Sequence, residues 1–225
     1  MKKGVVLYTV LGFILISMFL ISIFLNYLRF NNKFYKDISQ NSIILNSLNT
    51  IFSKIPYSKE IYSTYPITKD LIIEIIPAAN RVNLNELFNK KSSLEVESFL
   101  VNLLSAYNIE DIATFLDELK KEGHIYNFRH FYNLLKRINN NSLTKIPWRK
   151  YIYFANGQYP IDCELLDENM SYFLGVNGCD NNSSLNIKKY DNKLDYLIEI
   201  RFNNLDLLYN FNKKKVVNIE SNILY

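Results

Sequence analysis

The chain has 225 residues, of which 48% are hydrophobic and 15% aromatic, so the sequence supports a packed core and excludes a disordered protein. The formal net charge is +4, but Lys2, Lys3 and Arg29 flank the first apolar run, and the other charged residues are 23 basic and 22 acidic. Bulk charge therefore gives no reason to expect nucleic acid or an anionic membrane surface as a partner.

A long apolar stretch follows the two N-terminal lysines. Val5–Leu25 contains only Thr9, Ser17 and Ser22 as polar residues, and as a helix it would be about 30 Å long, the thickness of a bilayer core. The run is longer than the apolar part of a secretory signal peptide, and no Ala-x-Ala cleavage site follows it. We therefore predict a single-pass inner-membrane protein with a cytoplasmic N-terminus and a periplasmic C-terminal domain.

The first residues combine a short basic leader with the start of the apolar run. Lys2-Lys3-Gly4 is followed by Val5-Val6-Leu7-Tyr8-Thr9-Val10-Leu11. This arrangement resembles the class III signal of type IV pilins and type II secretion pseudopilins. The resemblance implies that residues 1–4 are a leader, that prepilin peptidase cleaves between Gly4 and Val5, and that the apolar helix is retained. Most members of the family carry Glu at the fifth mature position, but here that residue is Thr9, as in the K-type minor pseudopilins.

The helical periodicity continues beyond the predicted membrane span. Apolar residues recur at helical spacing before Pro56, namely Phe34, Ile38, Leu45, Leu48 and Phe52. We predict one pilin-like helix over residues 5–54, about 70 Å long, with residues 5–28 in the membrane. A coiled-coil stalk is the alternative, but the repeats are too few for it.

The predicted head begins with residues 55–90. Leu71–Ile76 is predicted to be a strand, and Arg81-Val82-Asn83-Leu84-Asn85-Glu86-Leu87 follows a turn at Pro77–Asn80. The pair Asn83 and Asn85 can cap a helix or support a turn through the side-chain amides. This segment resembles the Asn-x-Asn element that opens the helical insertion of K-type minor pseudopilins.

Residues 91–140 are predicted to form three short helices in a compact helical subdomain. The first starts at a capping box of Ser92 and Glu95, the second runs from Asn108 to Gly123, and the third starts at Asn127. The apolar faces consist of Val96, Phe99, Leu100, Leu103 and Tyr107, then Ile109, Ile112, Leu116 and Leu119, then Phe128, Phe131, Leu135 and Ile138. The subdomain matches the helical insertion of the K-type family in position and length.

Residues 150–225 predict an antiparallel β region. Asn156-Gly157 predicts a tight turn between hairpin strands Tyr151–Phe154 and Gln158–Leu165. The remaining predicted strands form a meander of Leu185–Lys189, Leu194–Phe202, Leu205–Phe211 and Lys215–Ile219. The K-type family usually has a second Asn-rich element near Tyr159–Cys163, which reads Tyr-Pro-Ile-Asp-Cys here, so the resemblance covers residues 1–150. The predicted fold class is α+β.

Few residues point to chemistry at a site. Cys163 and Cys179 predict a disulfide in an extracytoplasmic domain, with two buried thiols as the alternative. Some K-type pseudopilins bind calcium. The acidic residues around the cysteines are Asp162, Glu164, Asp167, Glu168 and Asp180. They do not form a dense Asp/Asn loop, so calcium is kept only as the alternative to no cofactor. His124 and His130 are interpreted as surface or packing residues. The chain has no motif for a nucleophile elbow, a zinc protease or a P-loop, so we expect neither an enzyme nor a cofactor.

Residues 123–161 carry no acidic residue. Their basic residues are Arg129, Lys136, Arg137, Lys145, Arg149 and Lys150, with Tyr126, Tyr132, Trp148, Tyr151 and Tyr153 among them. Basic groups with interleaved aromatic rings suit single-stranded nucleic acid or an acidic protein face. The alternative, which we favour, is a solvated basic face above core aromatic residues.

The sequence therefore predicts a non-catalytic minor pseudopilin that initiates or caps a pseudopilus in a type II secretion-like or DNA-uptake machine. Its expected partners are other minor pseudopilins, the inner membrane and prepilin peptidase, with DNA as a further candidate. The alternative is a single-pass, membrane-anchored periplasmic binding or adaptor protein with an uncleaved signal anchor.

Overall fold

The computed structural model describes residues 18–29, 42, 46, 48, 61–68, 71–138, 140–179, 184–189, 191, 195–202 and 205–221. Contacts divide the chain into two units, Met1–Lys54 and Ile55–Tyr225. In the first unit, residues 18–29 belong to helix α1, and all of their side chains are exposed. No helix within the described ranges combines the length and the hydropathy needed to cross a membrane.

The second unit contains a five-stranded antiparallel sheet in the order β1-β2-β7-β8-β9. The strands are β1 Thr64–Thr68, β2 Leu71–Pro77, β7 Leu197–Phe202, β8 Leu205–Asn210 and β9 Lys215–Ser221. In the register of the sheet, Ile200 lies between Ile75 of β2 and Leu207 of β8, and all three side chains are buried. The strand predicted at 71–76 and the last three strands of the predicted meander are confirmed.

A helical subdomain is inserted between β2 and β7. Its α-helices are α2 Ser93–Ala106, α3 Ile112–Glu122, α4 Phe128–Ile138, α5 Trp148–Tyr151 and α6 Glu168–Leu174. Its 3₁₀ helices are Leu84–Phe88, Leu143–Lys145 and Cys163–Leu165. Two short parallel pairs complete it, β3 Val82–Asn83 with β4 Ile152–Tyr153 and β5 Ile161–Asp162 with β6 Ile187–Lys188. The described residues thus form a mixed α+β fold.

The core of the helical subdomain is built around an aromatic cluster. Trp148 is fully buried and stacks on Phe115, with ring centroids 5.8 Å apart, while Phe131 meets it edge-on at 5.0 Å. Trp148 Nε1 donates to the carbonyl of Leu143 at 2.8 Å. Because the one polar atom of the indole has a partner inside the core, the ring can be buried without leaving an unsatisfied group.

The ends of α3 and α4 agree with local sequence signals. Gly123 ends α3 with a left-handed φ of 69°, and Asn127 Oδ1 accepts from His130 N at 2.8 Å at the start of α4. The predicted start of α3 at Asn108 is wrong. Asn108 has a φ of 54° just beyond α2, and Asp111 caps α3 instead, because Asn tolerates the left-handed region that a chain leaving a helix often adopts.

The predicted capping box at the start of α2 is also wrong. Ser92 Oγ donates to the backbone and the carboxylate of Glu86, at 3.1 and 2.6 Å. The Glu95 carboxylate accepts from the N–H groups of Ser184 and Leu185, both at 2.6 Å. The side chains of Ser92 and Glu95 therefore bond to residues outside α2, and these bonds replace the predicted capping box.

The predicted hairpin at Asn156-Gly157 does not form. Trp148–Tyr151 is helical, and β4 and β5 pair in parallel with β3 and β6. The carbonyls of Ala155 and Gly157 both accept from Asn83 Nδ2, so a side chain from another segment holds the turn. The antiparallel region predicted at 150–225 consequently contributes to the antiparallel sheet only from Leu197 onward, and Leu185–Lys189 is not part of the meander.

A disulfide links the segment after β5 to the loop that follows α6. Cys163 and Cys179 are bonded, with their Cα atoms 5.1 Å apart and a sequence separation of 16. Cys163 is buried in the helical subdomain, and Cys179 is exposed.

Replacing both cysteines by alanine is expected to lower the free energy of unfolding by about 3 kcal/mol, because the bond restricts a loop of roughly 15 residues in the unfolded chain. Chemical denaturation of the full chain measures the difference. Reduced wild-type protein is the control and should match the double variant. Equal stability of the oxidised, reduced and substituted proteins would contradict the prediction.

Candidate functional site

Asn83 ties the start of the helical subdomain to the segment that follows β4. Its Nδ2 donates to the carbonyls of Ala155 and Gly157 at 3.0 and 2.9 Å. Its Oδ1 accepts from the N–H of Ala155 at 3.1 Å and from that of Asn85 at 3.3 Å. The buried amide of Asn83 therefore forms hydrogen bonds with backbone groups that are not paired in a β-sheet.

Asn85 makes a second tie, to the connection between α3 and α4. Its Nδ2 donates to the carbonyl of Ile125 at 2.8 Å, and its Oδ1 accepts from the N–H of the same residue at 2.9 Å. The side-chain amide of Asn85 thus bonds to both the N–H and the carbonyl of Ile125. The Asn-x-Asn pair was predicted to support a turn, and its contacts reach segments 40 and 72 residues away.

Asp162 repeats the local geometry of Asn83. Its Oδ1 accepts from Glu164 N at 3.1 Å, and each of the two residues ends a short parallel strand and caps a 3₁₀ helix. A carboxylate accepts hydrogen bonds but does not donate them, so Asp162 cannot make the donated bonds of Asn83. Within Tyr159–Cys163, which departs from the family pattern, Ile161–Cys163 nevertheless adopts the same arrangement of strand end and 3₁₀ start as Val82–Leu84.

A cavity of about 230 Å³ opens beside the two asparagines. It is lined by Asn83, Asn85, Glu86, Phe88, Asn89, His124, Ala155, Asn156, Gly157 and Gln158. Glu86 supplies its acidic group and is only 6% exposed. The Oε2 of Glu86 accepts from Ser92 Oγ at 2.6 Å and from Asn89 Nδ2 at 3.2 Å. The cavity is therefore polar, with one deeply placed carboxylate.

A neighbouring cavity of about 190 Å³ shares part of this lining. His124 borders both cavities, and its ring meets Tyr126 edge-on at 4.8 Å. Tyr126 also lies over His130 with ring centroids 5.6 Å apart, and His130 Nε2 is 3.2 Å from Glu122 Oε2. The two histidines thus take part in surface packing around Tyr126, in agreement with their interpretation from the sequence.

A network of ion pairs joins the helical subdomain to the sheet. Arg149 Nη1 is 2.5 Å from Asp206 Oδ2, and Nη2 of the same side chain is 3.9 Å from Glu220 Oε2. Arg81 forms an ion pair with Glu199, and its Nη1 donates to the carbonyl of Arg149 at 3.0 Å. Two arginines of the helical subdomain are therefore neutralised by carboxylates of β7, β8 and β9.

The network moves the pKa values of its glutamates in opposite directions. Burial raises the pKa of Glu220 to about 7, and the attraction of Arg149 offsets only part of this effect. Burial also opposes ionisation of Glu199, but Arg81 and Arg201 together outweigh it and lower the pKa of that carboxyl group. The difference follows from the number of arginines beside each carboxylate.

The predicted basic interaction face is partly neutralised. Arg149 belongs to the ion-pair network, Arg137 pairs with Glu122, and Lys150 Nζ lies 3.3 Å from Asp167 Oδ2. The other three basic residues are exposed, namely Arg129, Lys136 and Lys145.

The aromatic residues between these basic groups are mostly internal. Trp148, Tyr151 and Tyr153 are buried, Tyr132 is half-buried, and Tyr126 is exposed. Buried rings cannot stack on nucleic-acid bases. This geometry favours the interpretation of core aromatic residues beneath a solvated basic face.

The acidic residues near the disulfide serve as caps and ion-pair partners. Asp167 Oδ1 accepts from Met170 N at 2.7 Å, and Glu164 Oε1 is 2.9 Å from Lys189 Nζ. Within the part of the chain that the structure describes, no three His, Cys, Asp or Glu side chains are grouped as metal ligands. Asp180 lies outside that part.

The residues that carry the N-terminal resemblance, Gly4, Val5 and Thr9, lie outside the described ranges. No family model, curated protein or solved structure matches this chain.

The substitution Asn83→Ala is expected to lower the free energy of unfolding by about 2–4 kcal/mol, because it leaves buried backbone groups of the Ala155 segment without partners. Asn156→Ala is the control: it alters an exposed side chain of the same cavity, and its effect should stay within about 0.5 kcal/mol. Chemical denaturation of the full chain measures both values. Equal stability of the two variants would show that the amide ties are dispensable.

Glu220 is expected to make the folded protein less stable as the pH rises. The unfolded chain loses this proton near the ordinary pKa of 4.5, whereas the folded protein keeps it up to a pKa of about 7. The free energy of unfolding should therefore fall through this window, by roughly 3 kcal/mol for Glu220 alone.

Glu220→Gln removes that titration, so the variant should gain stability relative to wild type between about pH 5 and about pH 8. Denaturation curves at several pH values provide the measurement, and Glu110→Gln, at an exposed position, is the matched control. The pKa of Glu199 is lowered from its ordinary value, so Glu199 stays ionised across this window and does not change the difference in stability between the variant and wild type. A constant difference across the window would refute the assignment.

Proposed function

We propose that this chain is a minor pseudopilin that helps to initiate or cap a pseudopilus in a type II secretion-like or DNA-uptake machine. The observation that carries the proposal is the position of the helical subdomain. It is inserted between β2 and β7 of an antiparallel sheet and opens with Asn83 and Asn85. The K-type family, which the sequence resembles on independent residues at the N-terminus, has an insertion opened by such an element.

Two features support a membrane-anchored, periplasmic location for this proposal. Helical residues 18–29 expose large apolar side chains such as Phe19, Ile21 and Phe24, which are 67%, 57% and 59% exposed. An apolar surface of this kind needs lipid or neighbouring helices to cover it. The disulfide between Cys163 and Cys179 suits an oxidising compartment. In the proposed arrangement, the N-terminus is cytoplasmic and the second unit is periplasmic.

The proposed role is assembly without turnover. The N-terminal helix would pack laterally on the helices of other minor pseudopilins, and the head would occupy the tip of the filament. A buried Glu at the fifth mature position needs the N-terminal amine of the subunit ahead as its partner. A tip subunit has no subunit ahead of it, so Thr9 suits that place. In a DNA-uptake machine, exposed Lys136 and Lys145 are candidates for contact with the DNA backbone.

N-terminal processing tests the proposal directly. Mass spectrometry of the membrane-bound protein from its native cells should show a mature chain that begins at N-methylated Val5. Cells that lack the prepilin peptidase are the control and should retain Met1. An intact Met1 in cells with an active peptidase would refute the pseudopilin assignment and leave the single-pass adaptor with an uncleaved anchor.

A further inference from the structure

We propose that the 230 Å³ cavity beside Asn83 and Asn85 is a binding site for a primary ammonium group, with the carboxylate of Glu86 as its counter-ion. This inference is independent of the proposed assembly role. It rests on the burial of the carboxylate, on the acceptors around it and on the size of the cavity.

The first argument is the uncompensated charge of Glu86. Glu86 as a whole residue is only 6% exposed, and an acidic residue buried to this degree is nearly always paired with a cation in a folded protein. Here the Oε2 atom receives two hydrogen bonds from neutral groups, Ser92 Oγ and Asn89 Nδ2. Among the residues that the structure describes, no lysine, arginine or histidine forms an ion pair with Glu86. A cationic ligand would supply the missing charge.

The second argument concerns the kind of cation. Calcium requires about six to eight oxygen ligands, but the Oδ1 atoms of Asn83 and Asn85 already accept from backbone N–H groups. Arginine favours both oxygens of a carboxylate in a fork, but Oε2 of Glu86 is occupied. An ammonium group can donate one hydrogen bond to a single oxygen, so it suits Oε1 of Glu86.

The third argument is the rest of the lining. An ammonium group has three donors and no acceptor. Asn156 and Gln158 are exposed members of the lining, and Gln158 uses its Nε2 to donate to the carbonyl of Ser184 at 3.1 Å, which leaves its amide oxygen as an acceptor. The volume is below the roughly 300–1,000 Å³ of sites for drug-sized ligands, so the cavity suits a short alkylamine or one lysine side chain.

Calorimetric titration of the full chain in detergent micelles tests the site with four probes: n-butylammonium, Nα-acetyl-lysine amide, Nα-acetyl-arginine amide and calcium chloride. Both amines should bind, and the arginine compound should bind at least about tenfold more weakly than the lysine compound. Tighter binding of butylammonium would indicate a free amine as the natural ligand. Binding of the lysine compound that is equal or tighter would indicate a lysine of a partner protein.

Three variants assign the binding to Glu86. Glu86→Gln retains an acceptor for Ser92 and Asn89 but removes the charge, so amine affinity should fall at least about tenfold, while Glu110→Gln should leave it unchanged. Asn156→Lys places a tethered ammonium at the cavity and should block both amines without altering Glu86. It keeps the proposal testable if Glu86→Gln does not fold.

Three results would overturn the proposal. The first is no binding of either amine at roughly 10 mM, and the second is equal amine affinity in wild type and Glu86→Gln. The third is calcium binding that depends on Glu86 in the absence of amine binding. N-terminal processing at Gly4 is measured separately, so failure of this site does not bear on the proposed assembly role.

Discussion

The helical subdomain depends on side-chain amides that replace backbone pairing. Asn83 and Asn85 satisfy the backbone groups of Ala155, Gly157 and Ile125, which lie in connections between elements. Each such group would cost about 1–3 kcal/mol if it were buried without a partner. A side-chain amide both donates and accepts, so Asn83 and Asn85 bring two distant connections to the start of the helical subdomain without extending a sheet through them.

The ion-pair network then fixes this subdomain on the sheet. Arg81 follows β2, where the chain enters the insertion. Arg149 lies in α5, near the middle of the insertion. Their carboxylate partners lie on β7, β8 and β9, which follow the insertion in sequence. Buried pairs of this kind add little net stability compared with apolar packing, but loss of one partner is costly. The network therefore specifies one docked position, and Glu220, which has Arg149 at 3.9 Å as its ion-pair partner, is its least compensated carboxylate.

Local signals predicted much of the fold, and contacts across long stretches of sequence determined the rest. Gly123 and Asn127 correctly predicted helix ends, because a left-handed glycine and a side-chain cap act within one turn of the helix. Ser92, Glu95 and Asn156-Gly157 carried equally good local patterns, but the Ser92 hydroxyl bonds to Glu86 instead. Partners far along the chain use the carboxylate of Glu95 and the carbonyl of Gly157. Asn83 and Asn85 could be singled out from sequence, although their partners could not. Glu86 carried no signal, because its importance comes from burial beside a cavity.

The candidate site and the amide ties occupy the same part of the molecule, and this has a physical consequence. The segment from Asn83 to Ser92 is held by side-chain bonds to Ala155, Ile125 and Glu86 before any ligand binds. A pocket whose walls are already ordered does not lose further conformational entropy on binding. The affinity for an ammonium group would then depend on two opposing effects, the cost of removing water from the ammonium group and its attraction to the carboxylate of Glu86. In the proposed assembly role, the same rigidity would help the head to resist local unfolding while neighbouring subunits assemble.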